Sequence, residues 1–299
     1  MSTIKKGKNN YYMRICDIQA SKLVKNATFR IFGVSDPLDP ISNTLIFVKN
    51  DFNGGKLLNE CIIISKEEVS VNKSCIQIIT DSPKNSYGRL LDIMQKEILK
   101  SSEEECNNSF FRKDTKIGVN TNIGKFCVIE EDVEIGDNCE IGDYVFIGAH
   151  SHIGNNVCIK NRSSIGICDA DVYREGKECR TLRHLGGTII EDGCLLLEGA
   201  HISAGDTRTT YVSEGTMVGI NANVGHNCFI GANTLIGAHA CICGQCDIGD
   251  GVYIAPTSVV MNRIQVEDKA KVGIGSVVLD NVNKEASVYG NPAMSYWNN

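Results

Sequence analysis

The segment 217–248 decides the fold, because one short pattern runs through it without interruption: MVGINANVGHNCFIGANTLIGAHACICGQCDI. An aliphatic residue recurs at every sixth position, at 218, 224, 230, 236, 242 and 248. The period extends outward, from 117 to 165, over 190, 196 and 202, and from 212 to 278. These 24 hexads indicate a repeat architecture in which each unit buries its apolar side against its neighbours.

A second inward position lies four residues after each aliphatic and holds small side chains such as Thr121, Ala200 and Thr216. Five of the fourteen cysteines occupy it: Cys127, Cys139, Cys194, Cys228 and Cys246. We interpret these cysteines as compact core residues rather than metal ligands or redox groups. The closest group in the chain, Cys241, Cys243 and Cys246, also fits the repeat.

Each hexad supplies one short strand and one turn, and three hexads make a triangular coil. The 24 hexads therefore predict a mainly β protein, a parallel β-helix of about eight coils and about 38 Å in length at the spacing of paired strands. Glycine often follows the aliphatic residue, as in Ile117-Gly118 and Val224-Gly225, which suits a tight corner.

Composition excludes several classes of protein. The formal charge of -6 and the pI near 5.6 argue against a nucleic-acid-binding protein. The start of the chain, Met1 to Arg14, has no apolar leader, and the longest apolar runs are far too short to span a membrane. With fourteen cysteines in a 299-residue chain, these features predict a cytoplasmic protein in a reducing compartment.

The chain divides into unlike parts. Residues 1–112 have short apolar runs followed by a helical stretch from about Tyr87 to Glu105, which predicts a small α/β nucleotide-binding-like domain with a helical connector. Residues 113–282 form the predicted β-helix, and 283–299 form a C-terminal tail. Insertions at 171–189 and 208–211 interrupt the repeat, and hexad counting places both at the same corner, one coil apart.

The larger insertion is rich in charge. Its basic residues could clamp a phosphate group, although a solvated loop of mixed charge explains them equally well. The candidates are Arg174, Lys177, Arg180, Arg183 and His184.

His226 is the candidate general base. It lies at an outward hexad position where other coils place Lys125, Glu131 or Asp250, and a lone histidine there is usually a surface residue. Ile220 occupies the same outward position one hexad earlier, which indicates a face covered by another subunit. Acyl transfer from a thioester needs a base near neutral pH, which imidazole supplies. Gly244, one coil above, is the candidate oxyanion donor through its N–H.

The repeat is similar to that of the bacterial hexapeptide-repeat family, which implies a left-handed coil and a homotrimer. The runs Ile31–Val34 and Thr44–Asn50 resemble the uridine-binding domain of UDP-3-O-acylglucosamine N-acyltransferase of lipid A synthesis. Val224-Gly225-His226-Asn227 matches the catalytic histidine motif of that family, and Arg183–Gly187 resembles the segment before its return to regular coils. The resemblance implies a nucleotide-sugar substrate bound by the following residues: Phe47, Asn50, Phe52, Asn227, Arg183 and His184.

The sequence also departs from that family. The second uracil-stacking aromatic is displaced, with Asn53 in its place and Phe52 one residue earlier, and Asn262 replaces a second histidine. The segment 272–278, followed by Tyr289–Ala293, resembles coenzyme-A-dependent sugar acetyltransferases. That likeness implies acetyl-CoA as acyl donor, no metal, and a cofactor site at these residues: Gly244, Asn262, Ser276, Asn291 and Pro292.

The sequence thus predicts an N-acetyltransferase acting on a UDP- or dTDP-linked amino sugar of surface-glycan biosynthesis, such as lipopolysaccharide O-antigen. Alternatives are an acyl-carrier-protein-dependent lipid A enzyme, a sugar O-acetyltransferase and a catalytically silent scaffold. A γ-type carbonic anhydrase would need a second histidine five residues after His226, where Gly231 stands. A sugar nucleotidyltransferase would need a larger N-terminal domain with a glycine-rich nucleotide loop.

Overall fold

The structure is a computed structural model that describes residues 5–6, 11–12, 18–38, 40–48, 52, 58–98, 103–106, 109–292 and 294–295. It divides into two compact units. The first comprises 1–101 together with 168–186 and 206–209, and the second comprises 102–167, 187–205 and 210–299. Both segments that interrupt the repeat therefore belong to the N-terminal unit.

The second unit is a parallel β-helix, which confirms the predicted mainly β fold class. Two-residue strands pair in parallel with those 18 residues away, as Ile129 does with Ile147 and Ile147 with Ile165. The coils present three faces, named here first, second and third in chain order.

The strands of the first face are Lys116–Ile117, Glu134–Ile135, His152–Ile153, Thr188–Ile190, Thr210–Val212, Phe229–Ile230, Asp247–Ile248 and Gln265–Val266. Those of the second face are Asn122–Ile123, Glu140–Ile141, Cys158–Ile159, Leu195–Leu196, Met217–Val218, Leu235–Ile236, Tyr253–Ile254, Lys271–Val272, Ser287–Tyr289 and Met294–Ser295. Those of the third face are Glu103–Cys106, Ser109–Arg112, Val128–Ile129, Phe146–Ile147, Ser164–Ile167, His201–Ser203, Asn223–Val224, Cys241–Ile242, Val259–Val260 and Val277–Val278.

The aliphatic residues of the hexads form one continuous core along the β-helix. The five cysteines predicted to be core residues are all buried. They also act as hydrogen-bond donors: the Cys139 thiol lies 3.1 Å from the carbonyl oxygen of Gly154, 15 residues on, as the Thr216 hydroxyl does at 2.8 Å from Gly231. The Cys246 thiol likewise donates to the carbonyl oxygen of Met261, 15 residues on. It therefore points into the core, and its CxxC spacing from Cys243 does not form a pair of outward thiols.

The turns between faces follow one rule at the first and second corners. The fourth residue of the hexad has positive φ, as in Asn120 at 58°, a conformation that asparagine tolerates better than most residues. The third residue donates its N–H to an Asp or Asn side chain one coil above, as Val119 does to Asp137 at 2.8 Å. Gly118 makes room for that carboxylate, because a Cβ there would lie 2.3 Å from Asp137 Oδ1.

The N-terminal unit contains a four-stranded parallel sheet and one long helix. The strands of the sheet are Gly33–Ser35, Thr44–Phe47, Ile62–Ser65 and Ile76–Ile79. Helix α1 spans Pro83–Ile98, beginning and ending earlier than the predicted stretch from Tyr87 to Glu105. The shorter elements are Lys5–Lys6 paired with Tyr11–Tyr12, Ile18–Gln19 paired with Arg30–Ile31, and a 3-10 turn at Ala20–Lys22. No helix among the described residues is long and apolar enough to cross a bilayer.

Both insertions leave the β-helix at the corner that follows the third face, named here the third corner. The first comes after Ser164–Ile167 and the second after His201–Ser203, neighbouring strands of that face. The first insertion forms a hairpin of Val172–Glu175 and Glu178–Thr181. The two insertions touch, since the Thr209 hydroxyl donates to the carbonyl oxygen of Gly186 at 2.7 Å.

Candidate active site

His226 lies at the third corner, directly after strand Asn223–Val224. Gly244 follows the next strand of the same face, Cys241–Ile242, and therefore stands one coil above His226 as predicted. Ile220 is 42% exposed but lies at the second corner, so the third face separates it from His226. The apolar position that suggested a subunit seam is therefore one corner away from the histidine.

The His226 ring packs against Gly244. A Cβ on Gly244 would lie 2.5 Å from His226 Nε2 and 2.6 Å from Cδ2, closer than atoms can approach. In the regular turns this space holds the Asp or Asn side chain that caps the coil below. Because Gly244 has no side chain, the imidazole can lie across the corner with Nε2 next to the glycine.

The Gly244 amide differs from its counterparts in the regular turns. At Val119, Lys125 and Ala232 the equivalent N–H donates to a carboxylate 2.7 to 2.8 Å away. Across the described part of the chain, the Gly244 N–H has no such acceptor. Gly225 keeps the space beside it open, because a Cβ there would come within 2.6 Å of the Gly244 nitrogen. An unused amide beside a candidate base suits an oxyanion donor.

Asn227 fixes the other side of the imidazole. It is 1% exposed, has a left-handed φ of 59°, and its N–H donates to Thr210 Oγ1 at 2.9 Å. Its Oδ1 lies 3.3 Å from His226 Nδ1. Because a carbonyl oxygen can only accept, this contact assigns the proton to Nδ1 and leaves the lone pair on Nε2. The predicted role of Asn227 in substrate binding remains a prediction; the contact observed is with His226.

The residues predicted for the cofactor do not share one environment. Asn262 is exposed at the third corner one coil above Gly244, and Asn291 and Pro292 are exposed in the tail. Ser276 is fully buried at the small inward position, and its Oγ accepts the Gly290 N–H at 3.1 Å. Its observed contact is therefore with the tail segment that carries Asn291 and Pro292.

The predicted base-stacking residues belong to the N-terminal unit. Phe47 stacks on Tyr87 with ring centroids 5.3 Å apart and an interplanar angle of 21°. One face of Phe47 is therefore taken by an aromatic of the same chain. Phe52 packs against the core of the sheet, and Asn50 lies outside the described residues. Burial, reinforced by Asp206, raises the pKa of Tyr87 well above its ordinary value.

Two arginines of the predicted phosphate clamp are paired with carboxylates within the N-terminal unit. Arg183 Nε lies 3.2 Å from Asp92 Oδ1, and Arg180 pairs with Glu178 at 2.9 Å. His184 is 6% exposed, its Nδ1 accepts the Asp169 N–H at 3.3 Å, and its own N–H donates to Cys168 Sγ. These contacts give Arg180, Arg183 and His184 structural partners inside the N-terminal unit.

Sequence reasoning missed two features of the site. It did not identify Asn227 as the partner of His226 Nδ1, although Asn at a left-handed turn position beside a histidine was a visible signal. It also did not show that this position in other turns commonly holds an Asp or Asn that accepts an N–H from the coil below, as Asn155 and Asp268 do. Among the described residues, no group of three or more His, Cys, Asp or Glu side chains is arranged to hold a metal ion.

Comparison with known proteins supports this description. The family model for bacterial transferase hexapeptide (six repeats) matches residues 114–149 and 227–262. No curated protein gives a significant match to the sequence.

Several solved structures share the fold, all of them acyltransferases of UDP-N-acetylglucosamine. The Campylobacter jejuni enzyme is 17% identical, with a TM-score of 0.58 over 64% of this chain and 74% of that one. The Bacteroides fragilis enzyme is 22% identical, with a TM-score of 0.58 over 64% and 74%. The Francisella novicida enzyme is 26% identical, with a TM-score of 0.57 over 64% and 68%.

The chain therefore carries hexapeptide repeats and folds as a parallel β-helix. These matches support the predicted class of enzyme, an acyltransferase, and are consistent with the left-handed coil.

Proposed function

We propose that the protein is an acetyl-CoA-dependent N-acetyltransferase that acts on a nucleotide-linked amino sugar in surface-glycan biosynthesis. The observation that carries the proposal is the packing of His226 against Gly244 at the third corner. Nε2 of the histidine lies next to the glycine, and the Gly244 N–H has no acceptor in the described part of the chain. Base and donor stand on successive coils of a rigid β-helix, so their separation is fixed before substrate arrives.

The reaction follows from this geometry. The neutral amine of the sugar attacks the thioester carbonyl while Nε2 of His226 takes its proton. The oxygen of the tetrahedral intermediate becomes anionic and accepts the Gly244 N–H. Collapse of the intermediate breaks the carbon–sulfur bond, and the coenzyme A thiolate recovers the proton from His226. Throughout, Asn227 holds the opposite ring nitrogen.

Further features support the remaining parts of the proposal. In the N-terminal unit, Phe47 supplies a partly buried aromatic ring, a type of side chain on which a nucleobase can stack. On the second face of the β-helix, Leu195, Met217, Leu235 and Tyr253 point outward, as a covered subunit interface requires, and we propose a cytoplasmic homotrimer.

A second candidate is acyl transfer from acyl carrier protein to a hydroxyl of a UDP-sugar. The solved structures with this fold favour its acceptor, because those enzymes are acyltransferases of UDP-N-acetylglucosamine. The catalytic geometry serves both reactions, since an amine and a hydroxyl need the same base.

Thiol release separates the two candidates. Purified protein is incubated with a panel of UDP- and dTDP-linked amino sugars and either acetyl-CoA or an acyl carrier protein bearing a hydroxyacyl chain. We expect thiol release with acetyl-CoA and a product heavier by one acetyl group in mass spectrometry. Turnover with the carrier protein alone would replace the first candidate by the second.

A further inference from the structure

The first insertion, residues 168–186, leaves the β-helix after Ile167 and rejoins it at Gly187, yet it belongs to the N-terminal unit. Its hairpin, Val172–Glu175 with Glu178–Thr181, docks on helix α1 of that unit.

One end of the hairpin is held by Lys84 and Asn85. Lys84 forms an ion pair with Asp171 and donates to the carbonyl oxygen of Val172 at 2.8 Å. The side-chain amide of Asn85 donates to the carbonyl oxygen of Arg174 at 3.0 Å. Both bonds to backbone require the hairpin strand to lie along the helix.

Two further ion pairs extend the contact along the helix. Arg89 pairs with Glu175, and Asp92 pairs with Arg183 at 3.2 Å. The helical residues fall at 84, 85, 88, 89 and 92, which is one face of an α-helix. The whole of this face is thus devoted to the insertion.

The centre of the contact is Gly88. A Cβ there would lie 2.9 Å from both Leu182 Cδ2 and Tyr173 Cε1. Leu182 is 1% exposed and Tyr173 is 4% exposed, so they form a sealed apolar seat. Exposed ion pairs contribute little to stability, whereas burial of a large side chain contributes more. Packing of Leu182 and Tyr173 at Gly88 therefore stabilises the docked hairpin, and the ion pairs fix its register on the helix.

We propose that the insertion and helix α1 form a latch within the N-terminal unit, in which the hairpin is locked on the helix with Gly88 as its seat and the ion pair of Arg183 with Asp92 as one of its pins. Arg183 is then a positioning residue that acts through Asp92 and not a ligand of the substrate phosphate. Of the four Arg and Lys residues on the insertion, Arg180 and Arg183 have carboxylate partners in the described chain, whereas Lys177, beside the hairpin turn, has none.

Hydrogen exchange of the free full-length protein, followed by mass spectrometry, tests the latch. We expect Gly88→Leu to raise exchange in the hairpin peptide at least tenfold, with exchange in the β-helix strands unchanged. Gly88→Ala is the milder variant, and its effect should be smaller and in the same direction. Lys177→Glu is the matched control and should leave hairpin exchange as in the wild type.

Charge reversal tests the ion pair between Arg183 and Asp92. Asp92→Arg and Arg183→Asp should each raise hairpin exchange about twofold to fivefold, as expected for loss of one exposed ion pair. The double variant should return to near the wild-type rate. Hairpin exchange that is unchanged in Gly88→Leu, or a double reversal no better than either single one, overturns the latch.

The proposed function enters only through the role given to Arg183. Exchange is measured without substrate, so its outcome does not depend on any acyl transfer. In a parallel titration with UDP, a latch predicts that the double reversal restores the affinity lost in Arg183→Asp. A direct phosphate contact predicts that it does not, and that result overturns the positioning role.

Discussion

The third corner at His226 and the first corner at Val119 are turns of the same repeat, yet only the corner at His226 carries the candidate base. At Val119 the N–H is capped by Asp137 one coil above, and Gly118 makes room for the carboxylate. At His226 the residue one coil above is Gly244, so no carboxylate is present and the imidazole takes its place. The two corners therefore differ in the side chain that occupies the space beside the turn: a carboxylate at the first corner and the imidazole at the third.

The comparison shows how a repeat protein acquires a site without altering its backbone. The strand register continues through both corners, and the left-handed fourth residue is Asn at both, Asn120 and Asn227. The function must therefore reside in side chains that break the ladder, and substitutions there should separate activity from stability.

Loss of the base should have the largest effect. His226→Ala is expected to lower the rate of thiol release from the acyl donor by about 10²- to 10⁴-fold, the usual contribution of a general base. The imidazole is only partly buried, so the thermal unfolding midpoint should change little. His239, at the second corner, provides the control, since His239→Ala should leave turnover unchanged. Wild-type turnover in His226→Ala would remove the histidine from the mechanism.

Filling the space beside His226 at Gly244 should have the second-largest effect on turnover. Gly244→Ala places a methyl group 2.5 Å from the present position of His226 Nε2, so the ring must rotate away, and we expect turnover to fall about 100-fold. Gly124→Ala is the matched control, because its Cβ would meet Asp143 Oδ1 at 2.5 Å in an ordinary turn. That variant should lose stability and keep its activity per folded molecule. Equal activity losses in the two would show that the corners do not differ in function.

Removing the partner of the base should have a smaller effect. Asn227→Ala takes away the acceptor at 3.3 Å from Nδ1, so the proton is no longer assigned to that nitrogen. We expect kcat to fall about tenfold with KM nearly constant, because the ground-state contacts of the substrate are kept. Asn227→Asp restores an acceptor and should recover much of the loss. A rise in KM alone would instead assign Asn227 to substrate binding.

Most of the β-helix was readable from the sequence because its period is strict. An aliphatic at every sixth position leaves one way to bury all of them, and the residues from Ile129 to Val278 that follow it are in the core. The start of helix α1 was predicted less accurately, because the helix begins at Pro83 and Lys84, where the sequence shows no periodic apolar pattern. The long-range contacts of the insertion, such as Arg183 with Asp92, cannot be inferred from local pattern at all.

The candidate site was only partly readable for the same reason. The position of Gly244 one coil above His226 follows from the period of 18, and the structure has it there. The side-chain conformation that brings Asn227 Oδ1 to His226 Nδ1 depends on the left-handed turn and on Thr210, which arrives through the second insertion. Local sequence carries the spacing of a repeat but not the direction of its outward side chains.

The smallest effect concerns the interior of the β-helix, where no catalysis takes place. Burial raises the pKa of the Cys194 thiol to about 11 from its ordinary value of 9.0. The folded state therefore holds the proton more tightly than the unfolded chain, so the contribution of the thiol to stability is complete below pH 9 and is lost as the pH rises toward 11. Cys194→Ser keeps a donor for the carbonyl oxygen of Ser213, now 3.1 Å from the thiol, and does not titrate in this range.

Urea unfolding at pH 8 and pH 10.5 measures this difference. Relative to Cys194→Ser, the wild type should lose about 1 to 2 kcal/mol of unfolding free energy between the two pH values. Cys194→Val, which removes the donor, should instead cost about 1 kcal/mol at pH 8, because the Ser213 carbonyl loses its partner. If the wild type and Cys194→Ser respond equally to pH, the inward thiols do not titrate as buried groups. The core of the repeat would then be more open to water than the ladder of hydrogen bonds implies.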